Sequence, residues 1–349
     1  MSTASERTAR IVEPAGDGRD VTVPELPDEL YLEVTNRCNL RCRTCPQFFG
    51  MAEPPADLTM DRFYAVIDQL PRLRRVVLHG IGEPLLNRHL PEMVRALKAR
   101  GAYVLFNSNG LLLRGRWPGN LVESGLDELR VSVDAGTAET YRSVRGADGF
   151  ARIFANLRLL AAVKAERRAT TPRVSLWMTG MHGNVQELPA LVRRAAESGI
   201  DEVYLQRLVF SERGLARADQ SLYGRAGTTD GAAVAEAEAL AQELGVTLRG
   251  SGEVRPAQQL AGEDGPNAPR RACMRPWKLM YITANGQVLP CCVAPFTSAP
   301  YASIVLGHTA RQSLGEVWNG ERYRAWRSAL LSEDNPPVAC RGCGADWSL

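Results

Sequence analysis

An alternation of short apolar segments with longer amphipathic ones runs through most of this 349-residue chain and limits the folds open to it. The apolar segments are rich in Val, Leu and Tyr, which is typical of buried β-strands. They are Leu30–Thr35, Arg75–His79, Tyr103–Asn107, Leu129–Val133, Val174–Met178 and Val203–Leu208. The amphipathic segments predict helices over Thr59–Leu70, His89–Arg100, Ala138–Arg168, Gln186–Ser198 and Asp230–Leu244. Six β-α units in succession predict an α/β fold whose parallel sheet is either open or curved into a partial, TIM-like barrel.

The alternation stops near Gly250, so the sequence predicts four parts. Residues 1–27 form an N-terminal arm that is either disordered or wrapped around the rest, and residues 28–250 form the β-α domain. Residues 251–272 are rich in Gly, Pro and Ala, which is typical of a linker. Residues 273–349 then form a small C-terminal domain of different character.

The predicted C-terminal domain carries its own local signals. Leu279–Thr283 and Gln287–Pro290 flank an Ala-Asn-Gly sequence, which favours a β-hairpin. Ser313–Leu330 predicts one helix, and a C-x2-C pair formed by Cys340 and Cys343 follows it. This part of the chain is therefore built around cysteines and a hairpin rather than around further β-α units.

Composition and charge exclude several classes of function. The formal net charge of +3 is small for 349 residues, so it gives no basis for binding nucleic acid or a membrane surface. No apolar run reaches the roughly 18 residues that span a bilayer. Met1–Asp20 is polar and lacks the apolar core of a secretory signal. We therefore expect a cytoplasmic protein whose thiols stay reduced.

The eight cysteines fall into two groups, and none lies between Cys45 and Cys273. The first group is Cys38, Cys42 and Cys45, and the second is Cys273, Cys291, Cys292, Cys340 and Cys343. A disulfide framework is not expected in a large protein of a reducing compartment. Clustered thiolates in such a protein indicate metal or iron–sulfur ligation.

The first group has the spacing C-x3-C-x2-C and directly follows the first predicted strand. Three thiolates can hold one face of a [4Fe–4S] cubane and leave the fourth iron open to a small molecule. The alternative is a zinc site completed by a fourth ligand, but no histidine lies nearby in the sequence to supply it.

This triplet resembles the signature of the radical S-adenosylmethionine (SAM) superfamily. The resemblance implies that the open iron chelates the amino and carboxylate groups of SAM. It also implies that electron transfer cleaves SAM to a 5′-deoxyadenosyl radical, which abstracts a hydrogen atom from the substrate. Thr44 departs from the pattern, because the family often has an aromatic residue at this position.

The segment His79-Gly-Ile-Gly-Glu-Pro84 ends the second predicted strand. It resembles the Gly-Gly-Glu segment of the same family, which implies that Gly80, Gly82 and Glu83 bind SAM and that Glu83 holds its amino group. Glycines allow a close approach of the backbone to a ligand. A tight turn without a binding role is the alternative for these residues.

Further polar residues end the next strands, where ligands bind in α/β sheets and barrels. They are Asn107, Ser132 and Asp134, and Arg145 follows on the next helix. The resemblance implies that Ser132 and Asp134 lie where the SAM ribose binds and that Arg145 pairs with the SAM carboxylate, and Asn107 is placed to contact the same ligand. For each residue singly, a role as a polar cap or turn residue is the alternative.

Four thiolates of the second group can form a closed metal site, and a zinc ribbon is one alternative. The predicted ligands are Cys273, Cys291, Cys340 and Cys343. The segment resembles the auxiliary-cluster extensions of radical SAM enzymes, namely SPASM and its shorter form, called twitch, which has four ligands and one cluster. Gly286 precedes Cys291 with the Gly-x4-Cys spacing of that family, so the resemblance favours Cys291 as the ligand and Cys292 as its unligated neighbour.

A fully ligated second [4Fe–4S] cluster cannot chelate substrate, but it can accept an electron. This predicts a dehydrogenase, an oxidoreductase that converts a secondary alcohol into a ketone. The resemblance to twitch-type enzymes implies an aminocyclitol or sugar substrate from aminoglycoside antibiotic biosynthesis, and a reductant of the flavodoxin or ferredoxin type.

Three alternatives stay open. An epimerase needs a hydrogen-atom donor, usually a thiol, and the predicted barrel has no cysteine beyond the triplet, so Cys292 would have to serve. A maturase of ribosomally made peptides often carries a leader-binding domain, and the 27 residues before the first strand are too few for one. A non-catalytic scaffold would not need the triplet.

The proton acceptor must lie within hydrogen-bond reach of the substrate hydroxyl. Position at or near a strand end makes several residues candidates: Tyr31, Glu33, His79, Glu202 and Arg207. We predict Glu33 and Arg207 as the catalytic pair. Glu33 would be the base, and Arg207 would orient the substrate because a guanidinium is a poor base.

Overall fold

The computed structural model of the protein describes residues 19–251, 255–260, 273–332, 336–340 and 343. Its strands are β1 Glu29–Leu32, β2 Arg75–Val77, β3 Tyr103–Ser108, β4 Glu128–Ser132, β5 Arg173–Gly180, β6 Glu202–Arg207, β7 Thr247–Gly250, β8 Leu279–Ile282, β9 Gln287–Leu289 and β10 Gly307–His308. Its first helices are α1 Pro46–Phe49, α2 Met60–Ile67, α3 Leu90–Ala99, α4 Trp117–Glu123, α5 Ala138–Arg145, α6 Phe150–Glu166 and α7 Leu188–Glu197. The later ones are α8 Thr229–Leu244, α9 Pro256–Leu260, α10 Arg275–Lys278, α11 Tyr301–Ile304, α12 Leu314–Trp318 and α13 Glu321–Leu331.

All ten strands belong to one sheet with the order β10-β9-β8-β1-β2-β3-β4-β5-β6-β7. Strands β1 to β7 are parallel neighbours, as expected for consecutive β-α units, and they form the predicted partial barrel. The strand β7 was not predicted, because its four residues Thr-Leu-Arg-Gly contain one large apolar side chain and no alternation.

The C-terminal hairpin continues the barrel sheet. Strand β8 pairs in parallel with β1, with Tyr31 opposite Tyr281, and β9 returns antiparallel to β8. The predicted hairpin is thus confirmed, and its first strand covers the edge of β1 that would otherwise expose backbone N–H and C=O groups.

Two predicted helices are each divided in two. The segment 138–168 breaks after Arg145, because Gly146 adopts a left-handed conformation (φ 74°) and its N–H caps α5 at the carbonyl of Arg142. Helix α6 then begins after Gly149. The segment 313–330 breaks at Gly320, which separates α12 from α13. Predicting single helices over these segments was wrong, since Gly146 ends α5 and Gly320 is the N-cap at which α13 starts afresh.

The described part of the N-terminal arm lies on the C-terminal helices. The indole N–H groups of Trp277 and Trp318 donate to the carbonyls of Asp20 and Glu25, at 2.8 and 2.9 Å. The buried guanidinium of Arg327 lies 4.3 Å from the ring centre of Trp318 and belongs to the same contact. Residues 19–27 therefore contact the far end of the chain, whereas residues 1–18 lie outside the described part.

The predicted linker contains regular structure where it is described, since α9 lies within it. Residues 252–254 and 261–272 of this segment are outside the described residues. Among the helices that the structure describes, none is both long enough and apolar enough to cross a membrane.

Candidate functional site

A cavity of about 190 Å³ opens at the carboxyl ends of the parallel strands, where the fold places ligands. It is lined by every predicted cofactor-binding residue and by the first three cysteines. These are Cys38, Cys42, Cys45, Gly80, Gly82, Glu83, Asn107, Ser132, Asp134 and Arg145. Residues from five segments that are far apart in the sequence thus meet around one space. We call it the triplet cavity.

The cysteine triplet lies on the loop after β1 and is held by local hydrogen bonds. The N–H of Leu40 donates to Cys38 Sγ at 3.5 Å, and the N–H of Cys45 donates to the carbonyl of Cys42 at 2.9 Å. Burial raises the pKa of Cys38 to about 11 and that of Cys45 to about 12. Thiolates buried in this way need a nearby cation, which the irons of a cluster supply.

The donor set therefore fits an iron–sulfur cluster. All three donors are thiols, and they share one cavity wall. Among the described residues no three His, Cys, Asp or Glu side chains are placed as ligands of a single metal ion. A cubane does not require such a placement, because each of its irons takes one thiolate.

Arg145 supplies a positive charge beside the triplet. Its pKa is raised by the neighbouring Cys42 thiol and by Asp134, although burial alone would lower it. One terminal nitrogen donates to Asp134 Oδ2 at 2.9 Å, and the other donates to the carbonyl of Ser132 at 3.1 Å. The buried Nε has no hydrogen-bond partner among the described residues. The guanidinium is thus fixed in place with a donor left over, which suits the predicted binding of a carboxylate.

The second carboxylate oxygen of Asp134 is bound by the backbone of β5. Asp134 Oδ1 accepts the N–H of Thr179 at 2.7 Å, and the backbone of Asp134 is left-handed, with φ 59°. Aspartate tolerates this conformation better than most residues because its short side chain can hydrogen-bond locally. The end of β4, the end of β5 and helix α5 are therefore joined at one carboxylate.

The buried carboxylate of Glu83 links the loop after β2 to the end of β3 by hydrogen bonds. It accepts from Ser108 Oγ at 2.8 Å, from the N–H of Asn109 at 2.7 Å and from the N–H of Leu85 at 3.1 Å. Burial raises its pKa, and these donors oppose that rise. A carboxylate has about four acceptor positions, so room remains for the predicted ammonium group.

Gly80 and Gly82 are required because other parts of the chain leave no room for a side chain at these positions. A Cβ on Gly82 would overlap the carbonyl oxygen of Thr35 and would lie 2.6 Å from that of Arg37. A Cβ on Gly80 would collide with the carboxyl group of Glu33. We predicted close approach to a ligand as the reason for glycine here, but the structure shows close approach to the chain that follows β1.

Glu33, the predicted base, does not line the triplet cavity. It lines a neighbouring cavity of about 510 Å³. Its carboxylate accepts the N–H groups of Ile81 at 2.7 Å and Ala284 at 3.1 Å, which joins β1 to the glycine loop and the C-terminal hairpin. Burial raises its pKa to about 7.

Of the other candidates, His79 and Arg207 line the triplet cavity, whereas Glu202 does not. His79 lines the triplet cavity, its buried Nδ1 has no partner among the described residues, and burial lowers its pKa to about 4. Arg207 lines the same cavity and stacks over the ring of Tyr223 at 4.2 Å. Glu202 begins β6 and lies 3.9 Å from Arg173, so naming it was wrong because it is at the opposite end of the barrel.

The second cysteine group gathers around a buried arginine. The pKa of Arg275 is raised by four thiols, those of Cys292, Cys343, Cys273 and Cys291. Cys340 lies one turn of the chain before Cys343, since the carbonyl of Cys340 accepts the N–H of Cys343 at 3.4 Å. This set again offers thiols and no imidazole, which fits an iron–sulfur cluster, and the guanidinium can donate to its sulfurs.

Cys291 and Cys292 differ in their surroundings. Cys292 lines the triplet cavity together with Val293 and Phe296, whereas Cys291 does not. The pKa of Cys291 is raised by burial and by Cys273. Both thiols also contribute to the raised pKa of Arg275. Cys291 as the ligand of the auxiliary cluster stays a prediction.

Comparison with known proteins accounts for both cysteine groups. Residues 32–195 match the model of the radical SAM superfamily, and residues 273–344 match that of SPASM, an iron–sulfur cluster-binding domain. The chain contains a radical SAM domain followed by a SPASM domain. The first binds SAM and a [4Fe–4S] cluster, and the second binds an auxiliary iron–sulfur cluster, as predicted.

Individual relatives are distant. A tungsten-containing aldehyde ferredoxin oxidoreductase cofactor-modifying protein of Pyrococcus furiosus is 30% identical over 52% of this chain and 51% of its own length. A PqqA peptide cyclase of Granulibacter bethesdensis is 24% identical over 93% of this chain and 82% of its own length. The chain thus spans about half of the first relative and most of the second. Streptococcus suis SuiB, in its crystal structure with the precursor peptide SuiA, shares the fold, with TM-score 0.67, 14% identity and coverage of 94% of this chain and 77% of SuiB.

The larger neighbouring cavity was missed from the sequence. Its polar residues Glu53, Ser211, Thr283 and Tyr301 come from four separate segments of the chain and belong to no motif. Only the pairing of β8 with β1 brings the C-terminal ones beside the N-terminal ones.

Proposed function

We propose that this protein is a radical SAM enzyme that modifies a peptide, with the reacting side chain entering beside the triplet cavity. The relatives that align over most of the chain are peptide cyclases by name. They favour the peptide-modifying alternative over the aminocyclitol dehydrogenase that the sequence predicts.

The observation that carries the proposal is the pair of adjoining cavities. The triplet cavity and the cavity of about 510 Å³ share Ile81 and Phe296 in their walls. The larger one lies between the radical SAM domain and the SPASM domain, since Phe49 and Glu53 face Tyr281 and Tyr301 across it. Its volume is in the range that accommodates drug-sized ligands, so a peptide segment can place a side chain there.

The residues of the site have defined tasks in this proposal. When bound, SAM and its cluster supply the radical chemistry that removes a hydrogen atom from the substrate. Arg145, fixed by Asp134, holds the carboxylate of SAM, and Glu83 holds its amino group. Phe296 and Val293 of the SPASM domain line the same space and exclude water from it.

Product analysis tests the proposal. The anaerobically reconstituted protein is incubated with SAM, dithionite and either a peptide library or a panel of aminocyclitols, and 5′-deoxyadenosine and product masses are measured. We expect 5′-deoxyadenosine to form with a peptide that loses two hydrogen atoms. The Cys38→Ala variant is the control and should form neither product. Turnover with aminocyclitols alone would overturn the peptide assignment and restore the dehydrogenase.

A further inference from the structure

The larger cavity is lined by the carboxyl groups of Glu33 and Glu53, and we call it the acidic cavity. It is defined by Glu33, Glu53, Ser211, Tyr281 and Tyr301, which lie among its lining residues, and it has a volume of about 510 Å³. Glu33 and Tyr281 are buried at its inner end, whereas Glu53 and Tyr301 are half-buried. The cavity is separate from the one that holds the cysteine triplet, although the two share a wall.

Its two carboxylates are bound by neutral donors. Glu53 accepts from Thr283 Oγ1 at 3.0 Å and from the hydroxyl of Tyr301. Glu33 accepts from two backbone N–H groups and, at 3.5 Å, from the hydroxyl of Tyr281. No Lys, Arg or His of the described residues forms an ion pair with either carboxylate. The ion pairs of the described residues involve other acids, such as Asp57, Glu29, Asp134 and Asp230.

Burial, with a smaller contribution from the charge of Glu53, raises the pKa of Glu33. A carboxylate removed from bulk water costs free energy unless a cation compensates its charge. The basic side chain that lines this cavity is Arg213, which is exposed at the rim, where its guanidinium lies 6.0 Å from the ring centre of Phe49. Among the described residues, no cationic side chain therefore lies at the inner end of this cavity to compensate its carboxyl groups.

A separate observation points to a ligand in the same place. Ser211 is 7% exposed, and its Oγ is buried without a hydrogen-bond partner among the described residues. Buried hydroxyls in folded proteins nearly always have a partner, so the Oγ of Ser211 leaves one hydrogen-bond position beside this cavity that the described residues do not fill.

We propose that the acidic cavity binds a cationic nitrogen of the substrate, an ammonium or guanidinium group, as carried by a lysine or arginine side chain. An ammonium has three donors and no acceptor, which matches two carboxylates and a hydroxyl that accepts. This inference rests on the proposed function for its peptide source. The same chemistry is found in a free aminocyclitol, so the experiment separates the two sources.

Binding to the SAM-loaded holoprotein tests the inference. The probes are N-acetyl-lysine methylamide, its norleucine counterpart, which lacks the ammonium, and 2-deoxystreptamine as a free aminocyclitol, each titrated by calorimetry. We expect the lysine probe to bind at least about tenfold more tightly than the norleucine probe, because a charge-assisted hydrogen bond is lost in the latter. Glu53→Gln should remove this preference.

Glu243→Gln is the matched control, because Glu243 is exposed on α8 and its substitution changes the net charge equally. The control should keep the full preference. Iron content and the melting temperature show whether Glu53→Gln is folded, and Ser211→Ala provides a second variant, for which we expect a smaller loss.

Equal affinity for the lysine and norleucine probes, or a preference that survives in Glu53→Gln, would overturn the inference. Binding of 2-deoxystreptamine alone, lost in Glu53→Gln, would retain the cation site but reject a peptide as its source. Peptide turnover that does not require a basic residue would reject the cation site and leave the proposed function standing.

Discussion

Replacement of Gly82 by alanine probes the packing that places Glu83 in the SAM site. The added Cβ would lie 2.6 Å from the carbonyl oxygen of Arg37, against 3.4 Å or more in an ordinary contact, and would overlap that of Thr35. Both obstacles are backbone, so they cannot rotate away. The loop must move by about 1 Å, which breaks the 2.8 Å bond from the N–H of Glu83 to the carbonyl of Arg37.

We expect this substitution to lower the free energy of unfolding by about 3 kcal/mol, since overpacking a close-packed site typically costs about 1–3 kcal/mol and two backbone groups are affected here. The affinity for SAM should also fall by at least about tenfold, because the loop movement displaces Glu83. The assays are anaerobic urea unfolding of the holoprotein and equilibrium dialysis with labelled SAM.

The matched control is Gly315→Ala on helix α12, where a Cβ would meet nothing within 4 Å. We expect this change to be neutral or to stabilise the protein by about 0.5 kcal/mol, because alanine restricts the unfolded chain. Wild-type unfolding and SAM binding in Gly82→Ala would refute the argument that the backbone after β1 dictates glycine at this position.

Four further substitutions have expected outcomes. Asp134→Asn leaves the buried charge of Arg145 without its partner and should cost about 3 kcal/mol in urea unfolding, with weaker SAM binding. Burial raises the pKa of Glu33 from 4.5 to about 7. The folded state therefore holds a proton that the unfolded chain releases, so this contribution is fully present below about pH 4.5 and is lost as the pH rises through about 7. Glu33→Gln should remove a decline of about 3 kcal/mol over that interval, and parallel wild-type and variant profiles would contradict it. Cys291→Ala should remove the auxiliary cluster, whereas Cys292→Ala should retain it; iron and sulfide analysis decides, and the reverse result would exchange their roles.

The residues around the triplet cavity could be predicted because the signals are local. The spacing of Cys38, Cys42 and Cys45 limits which sulfurs can reach one cluster, and the glycine segment ending in Glu83 follows the next strand. Parallel strands then bring their carboxyl ends to one edge, so residues such as Asp134 meet the triplet once the strand order is known.

What the sequence could not provide depends on long-range packing. Nothing near Glu33 indicates that the N–H of Ala284, which is far away in the chain, binds its carboxylate. The acidic cavity was missed for the same reason, because Glu53 and Tyr301 meet only when the C-terminal hairpin docks. The glycine at 146 was a local signal that we underweighted, since the amphipathic pattern continued across it.

The pairing of β8 with β1 also determines when the protein can be finished during its synthesis. The strand that precedes the cysteine triplet keeps one open edge until the ribosome has produced residues 279–282. A nascent barrel with such an edge can pair with other chains. Because Glu33 accepts the N–H of Ala284 only after this late docking, delivery of the first cluster to a nearly complete chain would avoid loading a barrel whose β1 edge is still unpaired.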